Sequence, residues 1–208
     1  MSIVTNIEPQ KDGKRVNVFL DHEFGFGIDL DNLVILGIKI GKEISEDELD
    51  KIVKTAEYKK LFDKFLNFLI LRPRSEKECF DYFIRKKISD LNTKERFIKS
   101  AYKLLLLDDL KFAKWWVEQR SQFRPKGKMV LKMELSKKGI DKEIISKVLE
   151  EVEIDEKSIA MSIAQRKLKG LGRYSDEKKY EKIFGFLARR GFGQTIIRAV
   201  IDELGLRV

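Results

Sequence analysis

Residues 108–151 read DDLKFAKWWVEQRSQFRPKGKMVLKMELSKKGIDKEIISKVLEE, and this stretch decides the fold. Its apolar residues recur at helical spacing in three blocks, which short breakers separate. Asp108 or Asp109 can cap the first helix. Pro125 prevents that helix from continuing. Gly139 fits the left-handed position that ends the second helix. The stretch therefore predicts a compact unit of three helices.

The same pattern returns 52 residues later. Residues 135–149 read LSKKGIDKEIISKVL, and residues 187–201 read LARRGFGQTIIRAVI. Matching pairs include Gly139 and Gly191, Ile144 and Ile196, Ile145 and Ile197, and Val148 and Val200. A looser copy precedes both and has Lys87 where the others have glycine. Chance similarity between amphipathic helices is the alternative, but ungapped matches favour tandem units that stack to bury a common core.

We therefore predict a mainly α fold, an elongated array of three tandem three-helix repeats with a small N-terminal β-hairpin extension. The extension and a linking helix are placed at residues 1–54, and the repeats at 55–107, 108–152 and 153–208. A composition of 43% hydrophobic and 37% charged residues suits a helical protein with a solvated outer face. Only three prolines in 208 residues leave room for long helices.

The N-terminal segment differs from the rest of the chain. Residues 15–20 read RVNVFL and residues 23–28 read EFGFGI, and their alternation is typical of strands in a hairpin. Residues 3–7 can add a third strand, turned by Asp12 and Gly13. Because an isolated hairpin is marginally stable in water, we expect this one to dock on a helix or on a partner.

Charge is divided unevenly along the chain. Residues 1–50 contain 5 Lys and Arg against 11 Asp and Glu, a balance of −6. Because the whole chain carries +9, the balance of residues 51–208 is +15. A basic body attracts polyanions through its long-range field and through counterion release. The alternative is that the lysines only keep a helical surface soluble.

Catalytic chemistry has few candidates. The chain has one histidine, His22, and one cysteine, Cys79, which disfavours a zinc site and a histidine-based triad. No Walker pattern occurs, and Lys126-Gly127-Lys128 lacks the preceding glycine-rich loop. We therefore predict a protein that is not an enzyme and has no cofactor or metal site. Cys79 is expected to be a reduced thiol in the core.

The sequence also lacks the marks of a membrane or secreted protein. No apolar run approaches the roughly 18 residues that a membrane-spanning helix needs. The first residues, MSIVTNIEPQKDGK, lack the basic and then apolar order of a signal peptide. We expect a cytoplasmic protein with no membrane partner, and we expect it to be a monomer.

Basic clusters recur near the break after the first helix of each unit. They comprise Arg72 and Arg74 in the first unit, Arg120, Arg124, Lys126 and Lys128 in the second, and Arg166, Lys167, Lys169 and Arg173 in the third. If the units stack regularly, these loops can line one edge as a basic track. Such a track would fit a phosphate backbone or the acidic face of a protein filament, and it would read charge rather than base sequence.

Trp115 and Trp116 are adjacent, so both cannot easily face the core of one helix. One of them is a candidate contact or stacking surface. Packing between units is the alternative that we favour, because large aromatic side chains are usually mostly buried.

Several motifs, taken in order and spacing, resemble the RecX family of bacterial recombinase regulators. The residues that carry the resemblance are Leu71-Arg-Pro-Arg-Ser75 with Glu78, Asp108-Asp109 followed by Phe112-Ala113 and Arg120, Lys126-Gly127 through Glu134-Leu135 to Lys138-Gly139-Ile140, and Leu187 with Arg190-Gly191-Phe192. Asp21-His-Glu-Phe24 with Gly27, and then residues 36–43, are similar to the N-terminal extension of longer members.

The resemblance implies a non-enzymatic modulator of the RecA recombinase. Such a protein binds the RecA filament on single-stranded DNA, lies in its helical groove, and restrains strand exchange and ATPase activity in the cytoplasm. The alternative is a helical-repeat protein that binds nucleic acid, single-stranded or duplex, without a recombinase. The acidic hairpin favours the first hypothesis, because DNA would repel it whereas a protein surface can accept it.

Overall fold

The computed structural model describes residues 1–11, 13–152 and 155–206. Its strands are β1 (Ser2–Pro9), β2 (Arg15–Leu20), β3 (Glu23–Asp29) and β4 (Glu43–Ile44). Its helices are α1 (Leu30–Ile35), α2 (Glu46–Ile70), α3 (Glu76–Arg85), α4 (Leu91–Lys103), α5 (Asp109–Phe123), α6 (Lys128–Lys137), α7 (Lys142–Glu151), α8 (Glu156–Lys169), α9 (Asp176–Ala188) and α10 (Gln194–Glu203). The fold is mainly helical with a small N-terminal sheet, as predicted.

The N-terminal sheet is antiparallel and has the strand order β3-β2-β1-β4. The predicted hairpin is β2 with β3, whose tight turn places Asp21 and His22 at positive φ. The third strand is β1, which pairs with β2. Asp12, in the predicted turn, lies outside the described residues. The extension is larger than a hairpin, because β4 also pairs with β1. Two residues are too few to produce a periodic signal in the sequence.

One continuous helix of 25 residues, α2, follows the sheet. Ser45 caps it, since its hydroxyl accepts a hydrogen bond from the backbone N–H of Glu48 at 3.2 Å, as the capping-box pattern indicates. The predicted boundary between residues 54 and 55 falls inside this helix. The chain divides into two compact regions between Phe68 and Leu69, and these are larger than the helical repeats.

The region from Leu69 onward contains the helical repeats. Helices α5–α7 enclose one apolar core and α8–α10 enclose another. The spacing of 52 residues extends back into α3 and α4. The side chains of Cys79, Leu131 and Ile183 are fully buried at equivalent positions, and so are those of Phe83, Leu135 and Leu187.

The residue that ends the second helix of each unit has the same backbone conformation. Lys87, Gly139 and Gly191 all lie in the left-handed region, with φ of 56°, 79° and 82°. A lysine therefore adopts in the first unit the conformation that glycine adopts in the other two. The turn after the second helix therefore has the same geometry in all three units, although the first unit lacks the glycine that favours it.

Neighbouring helical units contact one another through equivalent elements. The hydroxyl of Ser75, the N-cap of α3, donates a hydrogen bond to the carbonyl of Lys138 at 2.8 Å. The backbone N–H of Gly127, the N-cap of α6, donates to the carbonyl of Arg190 at 2.9 Å. Each acceptor immediately precedes the left-handed glycine of the next unit. The start of the second helix of one unit thus packs on the turn between the second and third helices of the next unit.

Candidate functional site

Arg72 is held by an ion pair in the loop that precedes α3. Its guanidinium donates to both carboxylate oxygens of Glu78, at 2.8 and 3.0 Å. The ammonium of Lys138, in the second helical unit, donates to the same carboxylate at 2.6 Å. Glu78 is only 8% exposed. Two cations from neighbouring units therefore share one buried carboxylate, an arrangement that ties the two units together.

The two cations also determine the ionisation of Glu78. Burial raises the pKa of its carboxyl, but the hydrogen bonds from Arg72 and Lys138 favour the carboxylate more strongly. The pKa of Glu78 therefore lies below its usual value. The carboxylate is charged throughout the physiological range and neutralises part of the positive charge at this joint.

Arg120 is held in a similar way near the end of α5. Its Nε donates to Glu134 of α6 at 2.6 Å, and the indole N–H of Trp116 donates to the same carboxylate oxygen at 3.0 Å. The guanidinium of Arg120 lies 4.3 Å from the centre of the Trp116 ring, and the ammonium of Lys138 lies 4.9 Å from it. Arg120 therefore fixes the orientation of Trp116 as well as carrying charge.

Both tryptophans are half-buried. The sequence left open that one of them is exposed as a contact surface, but neither is freely exposed. They pack on Phe112, with ring centres 5.9 and 5.7 Å from its ring. Arg72 lies 5.4 Å from the ring centre of Trp115. We call Arg72, Glu78, Trp115, Trp116, Arg120, Glu134 and Lys138 the tryptophan cluster. Its three cations are matched by two carboxylates.

The end of α5 is more open. Arg124 is exposed, and the neighbouring Phe123 side chain is 73% exposed. A cavity of about 210 Å³ is lined by Trp115, Trp116, Gln119, Arg120, Phe123 and Arg124. Lys126 is half-buried in the loop that follows. An exposed ring beside an exposed guanidinium is typical of surfaces that bind proteins or unpaired bases.

Lys128 contributes to the joint between the second and third units. Its backbone N–H donates a hydrogen bond to the carboxylate of Glu156 in α8 at 2.9 Å. Its side chain is half-buried. The backbone of Lys128, a predicted site residue, therefore helps to hold the second and third units together.

Arg74 lies with Arg72 in the loop between α2 and α3. Both line a cavity of about 260 Å³ together with Lys111. Burial and the neighbouring Arg72 lower the pKa of the Arg74 guanidinium. An arginine remains charged in spite of such a shift. The three cations of this cavity therefore outnumber Asp108, the carboxylate that also lines it.

The predicted residues of the third unit lie on and after α8. Arg166, Lys167, Lys169 and Arg173 are all exposed. The guanidinium of Arg173 lies 5.3 Å from the centre of the Tyr174 ring. Lys167 and Arg173 line one cavity of about 550 Å³, whereas Lys169 lines a different one of about 670 Å³.

The structure therefore brings the predicted residues together in small groups. Arg72 meets Arg74, Arg120 meets Arg124, and Lys167 meets Arg173. The sequence reasoning missed Lys138, Tyr174, Lys178, Lys182 and Arg189, which stand beside these groups. A usable signal was present for three of them, since positions 178, 182 and 189 fall on one face of a helix.

Three family models match this chain. The regulatory protein RecX N-terminal domain matches residues 2–45. The second RecX three-helix domain matches residues 108–149, and the third matches residues 155–201. The matched segments coincide with the sheet and with the α5–α7 and α8–α10 units.

Curated relatives extend the similarity to nearly the full chain. Regulatory protein RecX of Bacillus licheniformis is 35% identical over 206 residues, which cover 98% of this chain and 78% of the relative. The chain belongs to the RecX family. Regulatory protein RecX of Bacillus subtilis is 32% identical over 207 residues, with the same shares of the two chains. Membership places the protein among regulatory proteins.

Solved RecX structures have the same fold. A crystal structure of regulatory protein RecX superposes with a TM-score of 0.67 at 21% identity and covers 97% of this chain and all of that one. The crystal structure of RecX from Lactobacillus salivarius gives a TM-score of 0.61 at 28% identity and covers 72% of this chain and 97% of that one. Across the described ranges, no helix combines the length and the apolar character needed to cross a membrane.

Proposed function

We propose that this protein binds the RecA recombinase filament on single-stranded DNA and restrains its ATPase and strand-exchange activities. It would act in the cytoplasm as a monomer, without catalytic residues, cofactor or metal of its own. RecX family membership over 98% of the chain carries the proposal. The basic helical region supports it, because a recombinase filament on DNA is a polyanion that attracts positive charge.

The exposed end of α5 is the proposed contact with the filament. Arg124 and Lys126 flank Pro125 beside the exposed Phe123 ring, and no described carboxylate forms an ion pair with either cation. Arg120 is paired with Glu134, so its main role is to stabilise the fold. The remaining predicted residues, Arg72, Arg74, Lys128, Arg166, Lys169 and Arg173, would add positive field along the helical repeats.

The test is RecA ATPase on single-stranded DNA with this protein titrated in. The informative variant is Arg124→Ala/Lys126→Ala, which leaves the Arg120–Glu134 pair intact. The control is Lys132→Ala/Lys137→Ala, because it removes two exposed charges from α6 of the same unit. We expect inhibition at protein concentrations well below those that coat the DNA. It should weaken in the first variant and persist in the control.

The second candidate function is direct binding of nucleic acid without a recombinase. The cavity that contains Arg173 favours it, because its cations are largely free of carboxylates. Inhibition that begins only when the protein saturates the DNA would mean competition for DNA. That result would replace the filament proposal with this second candidate.

A further inference from the structure

The cavity of about 550 Å³ in the third unit has the composition of an anion site. It is lined by the end of α8, by the loop after it, and by one face of α9. We call its charged and aromatic side chains the tyrosine groove: Lys167, Arg173, Tyr174, Lys178, Glu181, Lys182 and Arg189. Five of these side chains are cationic and one is a carboxylate, so the field in the groove is positive.

The single carboxylate of the groove is already engaged. Glu181 forms an ion pair with Lys178 at 2.6 Å. Among the described residues, no carboxylate oxygen lies within ion-pairing distance of the other four cations, which are Lys167, Arg173, Lys182 and Arg189. The contrast with the tryptophan cluster is direct, because Arg72, Arg120 and Lys138 there are each paired with a glutamate. A phosphate entering the tyrosine groove would not have to displace a carboxylate from these four.

Two of these cations lie close to the same aromatic ring. The ammonium of Lys182 is 4.6 Å from the centre of the Tyr174 ring, and the guanidinium of Arg173 is 5.3 Å from it. Tyr174 is half-buried and packs on the core of the third unit. The core therefore holds the ring in place while leaving part of it accessible. Cations grouped around a fixed ring suit a ligand that carries a phosphate and a flat base.

We propose that the tyrosine groove binds single-stranded DNA, with a phosphate between Arg173 and Lys182 and an unpaired base against Tyr174. The inference rests on the proposed function, because it names the place where the helical repeats hold the DNA strand of the filament. A single strand fits better than a duplex, since bases in a duplex are stacked on each other and are not free to stack on a protein ring. The groove contacts backbone and base faces, so it binds without sequence preference.

The experiment measures binding of the full chain to a fluorescein-labelled oligothymidylate by anisotropy, over a series of salt concentrations and without recombinase. We expect Lys182→Ala and Arg173→Ala each to weaken binding about tenfold and to lower the slope of log affinity against log salt by about 0.7. Tyr174→Phe should keep most of the affinity because it keeps the ring. Tyr174→Ala should lose about tenfold.

The control is Arg198→Ala, which removes one exposed charge from α10 of the same unit. It should bind like the unchanged protein. Because Tyr174 packs on the core, the fold of its alanine variant is checked by circular dichroism. The charge reversal Lys182→Glu gives a second reading that leaves the core intact, and we expect it to weaken binding more than Lys182→Ala does.

Several results would overturn the inference. They are wild-type affinity in the Lys182 and Arg173 variants, an equal loss in Arg198→Ala, tighter binding of a duplex of the same length, or no binding by the unchanged protein. The RecA ATPase assay separates this inference from the proposed function. Inhibition of RecA by variants that bind the oligonucleotide normally would refute the groove alone. Groove-dependent DNA binding by a protein without effect on RecA would refute the filament proposal alone.

Discussion

The backbones of Gly127 and Gly191 lie in direct contact at the joint between the second and third helical units. A Cβ atom added to Gly127 would lie 2.1 Å from the carbonyl oxygen of Gly191. The φ of Gly127 is −71°, a value that any residue adopts. Gly127 is therefore required by the close approach of two backbones and not by its own conformation.

We expect Gly127→Ala to destabilise the protein by about 1–3 kcal/mol, because the added methyl group must push two backbones apart. Urea unfolding followed by circular dichroism measures the loss. The matched control is Gly193→Ala, because Gly193 is also a helix N-cap with an ordinary φ of −68° and has open space around it. Equal stability changes in the two variants would show that the contact with Gly191 is not what requires glycine at position 127.

Lys87 should gain stability when it is replaced by glycine. A side chain in the left-handed region costs about 1–2 kcal/mol, and Lys87 has a φ of 56°. Glycine removes that cost but loses more chain entropy on folding, so we expect a net gain of about 1 kcal/mol for Lys87→Gly. Lys87→Ala is the control, since it removes the lysine side chain but keeps a Cβ in the strained conformation. Thermal unfolding should rank the glycine variant above both the alanine variant and the original protein.

The joint between the first and second units should depend on pH through Glu78. Its pKa is lower in the folded protein than its usual value, so the stabilisation is complete above the usual value near 4.5 and is lost as the pH falls through the folded value. Glu78→Gln should cost about 2 kcal/mol at neutral pH, because Arg72 and Lys138 lose their charged partner. The difference from the original protein should shrink as the solution is acidified.

Urea unfolding at a series of pH values tests this dependence. Glu150→Gln is the control, because Glu150 lies exposed near the end of α7. It should be near neutral in effect at every pH. A Glu78→Gln variant that is as stable as the original at neutral pH would contradict the role given to the shared carboxylate.

Cys79 should be unreactive in the native protein. Its side chain is fully buried on α3, and burial raises the pKa of its thiol to about 12. Thiolate is the reactive form, so a disulfide reagent at pH 8 should label the protein only through opening of this helix. Labelling should be complete at once in urea. Rapid labelling of the native protein would show that the first helical unit is already open.

The sequence predicted the repeats well, because glycines at positions 139 and 191 mark the same joint in two units. It could not show that Lys87 adopts the same conformation, since lysine does not favour positive φ. It also grouped Arg72 and Arg120 with the exposed cations. Arg72 is paired with Glu78 on α3, and Arg120 is paired with Glu134 on α6. Charge counting along a chain cannot reveal which cations are already neutralised.

The tyrosine groove could not be predicted from the sequence, because its residues form no motif. Each of its side chains is ordinary in the sequence, and Tyr174 follows Arg173 in a loop without any motif. Only the packing of α8 against α9 brings Lys167, Lys182 and Arg189 into one cavity with that ring. The one available signal was the spacing of the cations along α9, which reads equally well as a solvated helix face.

Both joints between helical units are closely packed at a left-handed glycine. Between the second and third units, backbone touches backbone, so no rotamer change can absorb a displacement. Between the first and second units, a Cβ atom added to Gly139 would lie 2.7 Å from the Cβ atom of Lys77, which is fixed to the backbone of α3. The ion pairs of Arg72 and Lys138 with Glu78 span the same joint. A change of side-chain rotamer alone can therefore absorb a displacement at neither joint, and a movement of one helical unit should carry its neighbours with it.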